Sequence, residues 1–229
     1  MTKEEYRLIE DYMLSCMEDA AHDKEHIYRV LYNALQIAQA EAQVDQDVLI
    51  AACLLHDIGR KEQFADPSLC HALVGGEKAH AFLLAQGWPE SFAQQVRHCI
   101  QTHRFRKALQ PQTIEAKILF DADKLDVTGA IGIARSLMFK AEVAEPLYAR
   151  RDDGSICDGS GEDAQPSFFR EYKFKLEKLY DKFYTAQGRV LAQQRRQIAK
   201  AFYESLYEEV NAGYRSGRQT LEAYLDPRT

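Results

Sequence analysis

The chain has 229 residues, 46% hydrophobic and 28% charged, which suits one large folded domain or a domain with an appendage. A net charge of −6 argues against DNA or RNA as a bulk partner, because polyanion binding uses a basic stripe; small phosphorylated molecules need only a few local cations and stay within reach. There is no apolar run near the roughly 18 residues of a membrane span and no signal-peptide pattern, and the five cysteines include no C-x-x-C pair, so reduced thiols in a cytoplasmic protein are expected.

Hydrophobic periodicity reads as helix almost throughout, which predicts an all-α fold. Thr2 and Glu5 form a capping-box pattern ahead of Tyr6, Ile9, Met13 and Met17 on one face. Ile27, Val30, Leu31, Ala34, Ile37 and Ala38 follow at helical spacing. His22, His26 and Val30 are four apart, so both imidazoles project toward that stripe. A third helix, about 47–57, is apolar nearly all round and should be buried, with Gly59 as its stop. Residues 61–70, punctuated by Pro67, read as irregular. Helices are expected over about 71–86, 89–103, 113–124 and 127–141, with Gly87 and Pro89 as a break and Thr113 as a cap.

Residues 151–167 carry Gly154, Gly159, Gly161 and Pro166 and read as a surface loop. Phe169, Tyr172, Leu176, Leu179 and Phe183 then recur at helical spacing, and Gly188 breaks that helix. Leu191, Ile198, Phe202, Leu206 and Val210 carry a second one. The pair predicts a C-terminal helical hairpin. The expected organisation is a helical core over 1–150, a loop over 151–167, and an extension over 168–229 packed on the core.

The chemistry concentrates in His26, the His56-Asp57 pair and Asp123. A buried aspartate is costly unless it is paired or coordinates a cation, and Asp57 ends an apolar helix. Asp121, Asp123 and Asp126 crowd six residues of another apolar helix, where mutual repulsion calls for a compensating charge. A lone inward histidine is more often a hydrogen-bonded core residue. Several imidazoles and carboxylates on separate inward faces instead favour a centre for a divalent cation. His71 and His103 could complete a second metal site or hydrogen-bond phosphate, whereas His80 and His98 read as surface residues. Arg60 and Lys61, Arg104, Arg106 and Lys107, and Lys124 each follow a ligand position, where cations can neutralise phosphate oxygens.

The segments HDKEHIYRV at 22–30, LLHDIGR at 54–60 and DADKLDVTGAIGIAR at 121–135 resemble the HD-domain metal-dependent phosphohydrolase superfamily, in particular its small bacterial hydrolase subgroup. The resemblance covers roughly residues 18–145 and implies a helical bundle with metal between helices. Position by position, it implies His26, His56, Asp57 and Asp123 as metal ligands. Asp123 is preferred to Asp121, because ADKLD matches the family's Ala-Asp before a basic residue and Leu. His71 and His103 match the extra histidines of two-metal members, and Asp23 and Arg29 match positions of supporting pairs. The implied activity is hydrolysis of a phosphomonoester or pyrophosphate bond in a small phosphorylated metabolite, a nucleotide. It would use Mn, Fe, Co, Ni, Zn or Mg, with Asp57 and Asp123 handling water and Arg60 and Lys124 stabilising charge. The alternatives are a phosphodiesterase or a non-catalytic regulatory module that binds metal and nucleotide. Neither a nucleic-acid polymer nor a membrane is an expected partner, and homo-oligomerisation is left open.

Overall fold

A computed structural model describes residues 1–17, 24–104, 109–161 and 165–225. His22, Asp23, Arg106 and Lys107, singled out above, lie outside the described residues. No strand forms among the described residues, so the fold is all-α as expected; an isolated antiparallel bridge joins Arg150 and Ile156. No described helix is long and apolar enough to cross a membrane. The chain divides into two units, Met1–Asp126 with Phe183–Val190, and Val127–Lys182 with Leu191–Thr229.

The first unit contains helices α1 (Lys3–Cys16), α2 (Lys24–Ala38), α3 (Gln46–Leu55), α4 (Arg60–Ala65), α5 (His71–Ala85), α6 (Glu90–Thr102) and α7 (Ile114–Leu125). The capping box of α1 is formed, with the Thr2 hydroxyl accepting from the Glu5 amide and the Glu5 carboxylate accepting from the Thr2 amide. Asp45 caps α3 by accepting from the amides of Asp47 and Val48, and Thr113 caps α7 by accepting from that of Ala116. Seven residues of α3, from Val48 to Leu55, are buried, which makes it the central rod of the unit. After α5, Gly87 takes φ +88. The bonds Gly87 N–H to Leu84 O and Trp88 N–H to Leu83 O close a Schellman turn, so α6 returns alongside α5.

Three local expectations need correction. Residues 60–65 are the short helix α4 rather than irregular chain; six residues are too few to display a hydrophobic period. Gly59 has φ −93, so it is no left-handed stop. Its role is steric: a Cβ there would lie 2.3 Å from the carbonyl oxygen of His71 and 2.6 Å from the amide nitrogen of Gly75. The absent side chain is what brings the turn after α3 against the start of α5. Gly188 does not break a helix either. It lies inside α10 (Ala186–Leu225), whose start is set by Asp121. The Asp121 carboxylate accepts from the amides of Tyr184 and Thr185 and from the Thr185 hydroxyl, and that hydroxyl in turn accepts from Gly188 N–H. A Cβ on Gly188 would lie 2.5 Å from Asp121 Oδ2.

The second unit holds α8 (Gly129–Glu142), α9 (Phe168–Phe174), a 3-10 turn over Leu176–Lys178 and most of α10. Phe169 and Tyr172 pack against α10, with Tyr172 stacked on Tyr203 at 4.2 Å between ring centroids. The aromatic stripe is therefore core, but the single helix expected over 169–183 ends at Phe174. Among the described residues of 151–167, Ile156 and Cys157 are buried, and Ser167 caps α9 by accepting from Arg170 N–H.

Candidate metal centre

All the residues of this centre belong to the first unit. His26 lies in the first turn of α2, and His56 and Asp57 follow α3. His71 opens α5, His103 follows α6, and Asp123 sits in the last turn of α7. Five helices thus aim short, polar side chains at one volume. His26, His56, Asp57, His71 and His103 are all buried there.

The geometry has two halves. Ligand atoms of His26, His56 and Asp123 lie within 4.8 Å of one another, and so do those of Asp57, His71 and His103. His26 Nε2 is 3.4 Å from His56 Nε2 and 3.4 Å from Asp123 Oδ1. His71 Nε2 is 3.4 Å from His103 Nε2. Asp57 spans both halves. Its Oδ2 stands 3.6 Å from the Nε2 atoms of His26 and of His56, and its Oδ1 stands 3.3 Å from that of His71 and 3.8 Å from that of His103.

Each histidine is held from behind by an acceptor on Nδ1. The Nδ1–H groups donate to Asp126 Oδ2 at 2.7 Å from His26, to Cys53 O at 2.8 Å from His56, to Gln63 Oε1 at 2.6 Å from His71 and to Ile100 O at 2.6 Å from His103. A neutral imidazole with its proton on Nδ1 presents a lone pair at Nε2. The Nε2 atoms of all four therefore face the Asp57 carboxylate, and Asp57 Oδ1 is buried without a hydrogen-bond partner. Electron-rich atoms facing one another at 3.3–3.8 Å repel, and a buried orphaned oxygen is costly. A divalent cation in each half would resolve both problems, and the mixed imidazole and carboxylate donors suit one.

The electrostatics agree. Burial pushes the Asp57 carboxyl up, but His56, Arg60, His103 and His26 outweigh it and hold it below the usual carboxylate range. Asp123 is held well below that range against burial, by Lys124 and His26 above all. Burial drives His56 down, His71 to about 3 and His103 to about 4, so these three are neutral near neutral pH. His26 differs: burial lowers its pKa, yet Asp123 and Asp126 raise it to about 9. In the metal-free protein a proton on His26 occupies the role a cation would take.

Arg60 Nε lies 3.0 Å from Asp57 Oδ2 with 37% of its side chain exposed, and Lys124 Nζ lies 2.9 Å from Asp123 Oδ2. Both cations therefore stand at the rim of the centre. His80 pairs with Glu90 and His98 faces the Gln112 amide, so neither enters it.

The aspartate cluster resolves into three jobs. Asp123 faces the centre. Asp121, two residues earlier and about 200° around the helix, faces the start of α10. Asp126 binds Arg29 through Nε at 2.7 Å and Nη2 at 3.1 Å while holding His26. Sequence reasoning missed the support of His26 by Asp126 and that of His71 by Gln63. The first had a signal in the crowding of Asp126 with Asp123; the second had none, since Gln63 fell in a segment read as irregular.

The pattern that describes the HD domain matches residues 24–128. YpgQ of Bacillus subtilis (strain 168) is 30% identical over 198 residues, which cover 84% of this chain and 86% of that protein. A crystal structure of B. subtilis YpgQ in complex with ADP has a TM-score of 0.68 at 26% identity, covering 90% of this chain and 95% of that one. The structure of an HD-superfamily hydrolase from Bacillus thuringiensis has a TM-score of 0.68 at 27% identity, covering 92% and 98%.

Proposed function

This chain belongs to the HD superfamily, and we propose that it is a metal-dependent phosphohydrolase acting on a small phosphorylated metabolite, a nucleotide. One observation carries the reading: the partnerless Asp57 oxygen, buried beside the Nε2 atoms of the neutral His71 and His103. In our reading His26, His56, Asp57 and Asp123 would hold one cation, and His71 and His103 would hold a second together with Asp57. A divalent cation supplies a lowered pKa for water and charge neutralisation for phosphoryl oxygens.

The protein's own groups divide the remaining work. Asp57 or Asp123, both ionised, orients the attacking water and accepts its proton. Arg60 and Lys124 stand beside those carboxylates at the rim, where they bind phosphate oxygens and stabilise the charge that develops on them. The buried walls of α3 and α7 keep bulk water out and strengthen each of these interactions. No side chain need form a covalent intermediate. The ADP-bound relative and the hydrolase among the similar structures support a nucleotide substrate and hydrolysis.

The test is turnover of a nucleotide panel with Mn²⁺, Mg²⁺, Co²⁺ or Ni²⁺, with products identified by phosphorus NMR. Inorganic phosphate marks a monoesterase and pyrophosphate marks cleavage between the α and β phosphates. Wild-type turnover by an Asp57→Ala protein would refute the proposal. Tight nucleotide binding without any product under every metal would replace it with a regulatory binding module.

A further inference from the structure

The four histidines of the centre sit at two kinds of helix end. His56 and His103 follow the C-terminal ends of α3 and α6, and each donates its Nδ1–H to the carbonyl three residues earlier, on Cys53 and Ile100. A histidine in the last turn always has such a carbonyl at hand, because helix carbonyls point toward the C-terminus. His26 and His71 sit in first turns, where the exposed backbone groups are donors instead. Each must borrow an acceptor from elsewhere. His26 borrows the charged Asp126, and His71 borrows the neutral amide of Gln63.

The orientation of that amide is set from outside the centre. Gln63 Nε2 donates to the carbonyl oxygen of Leu69 at 2.9 Å. Reversing the amide would turn Oε1 onto that carbonyl, oxygen against oxygen, and would also turn an N–H group onto His71. Leu69 therefore fixes Gln63, and Gln63 fixes His71 with the proton on Nδ1 and the lone pair on Nε2. That lone pair faces Asp57 Oδ1 at 3.3 Å and His103 Nε2 at 3.4 Å. Among the described residues, Gln63 is the acceptor that selects this tautomer.

The two halves also differ in charge. The first has a carboxylate of its own, Asp123, and a second carboxylate behind His26; the other has only the Asp57 that it shares. A carboxylate behind an imidazole makes it a more basic ligand than an amide does.

We propose that Gln63 is the positioning residue of the His71–His103 half, and that this half is the weaker, exchangeable cation position. The proposal rests on the metal-centre reading above. The geometry also explains why the weaker position depends on α4 and the 66–70 turn. The amide that orients His71 is anchored by the Leu69 backbone, so movement of that turn changes cation affinity in one half alone.

The experiment uses the full chain, metal-free, titrated with Mn²⁺ in a calorimeter, beside ¹⁵N NMR of the imidazoles. Wild type should bind two ions in two affinity classes, with His71 wholly in the Nδ1–H form before metal is added. Gln63→Leu should release that tautomer into a mixture and weaken the second class by about 10–100-fold while leaving the first within about 2-fold. Gln63→Glu keeps an acceptor for His71 but loses the N–H that bonds Leu69 O, so it should recover the Nδ1–H form while the second class stays weaker than in wild type. Gln63 is half-buried on a short helix, and circular dichroism verifies that both variants fold. Unchanged tautomer and unchanged affinities in Gln63→Leu would overturn the proposal while the centre itself stands. Two ions of equal affinity in wild type would overturn the inequality, and no bound ion in wild type would overturn the metal centre and this inference with it.

Discussion

Filling the metal-free centre should expel one proton, and that proton should come from His26. Its imidazole lies between Asp126 on Nδ1 and Asp123 on Nε2, which raise its pKa from 6.5 to about 9 against the pull of burial. The other candidate ligands would contribute none: Asp57 and Asp123 are already ionised, and His56, His71 and His103 are already neutral. At about pH 7, roughly two units below the folded value, displacing the proton costs about 2.7 kcal/mol, or about 100-fold in apparent affinity. The logarithm of the affinity for the first ion should therefore rise by about one per pH unit from about 7 toward about 9, then flatten. Calorimetry with Mn²⁺ in buffers of different ionisation enthalpy counts the protons directly. Asp126→Asn should lower the His26 pKa and shrink both the release and the slope. A flat affinity across this range in the wild type would refute the reasoning. Stability of the metal-free protein carries the same sign. The pKa is raised on folding, so the charged imidazole stabilises the fold fully below about 6.5, and that contribution disappears as pH climbs through about 9.

Other outcomes follow from the same geometry. His71 and His103 have depressed pKa values, so the unfolded chain takes up protons that the folded one refuses; metal-free stability should fall as pH drops from about 6.5 toward about 4, read by urea melts at fixed temperature. Leu54→Ala opens a void at a fully buried position of α3 and should cost about 2–5 kcal/mol in urea unfolding with the slope unchanged. Gly59→Ala places a methyl 2.3 Å from the His71 carbonyl oxygen, so it should lower both melting temperature and Mn²⁺ affinity, whereas alanine at Gly213, with open space around it, should lower neither. Lys124→Met should cut kcat/KM by about 10²–10³ with metal content unchanged by elemental analysis; loss of the metal itself would make Lys124 a structural partner of Asp123.

Much of the fold was legible because the signals were local. The capping pairs of Thr2 with Glu5 and of Thr113 ahead of α7 involve residues three apart, and α3 announced its burial by being apolar on every face. The six ligand candidates were legible for a related reason: imidazoles and carboxylates inside apolar helices stand out by their cost. The misses at two glycines and at Gln63 were decided at a distance. Gly59 looked like a helix stop, but its neighbour is the backbone of α5; Gly188 looked like a breaker, but Asp121 admits α10 only where no side chain intervenes. Gln63 carried no signal at all, because an amide is ordinary until a histidine lies 2.6 Å away.

By itself the order of residues determined the all-helical character, which faces of the helices are apolar, and which side chains are chemically able to hold a cation. Those properties belong to residues within one or two helical turns of one another, where spacing and side-chain chemistry suffice. Only the tertiary structure decided the division of the six candidate ligands into two halves around Asp57, the acceptor behind each imidazole, and the separate tasks of three aspartates on neighbouring turns. Hydrogen bonds and charge interactions act over a few ångströms of space, and residues 97 positions apart, such as Arg29 and Asp126, meet only when the helices pack.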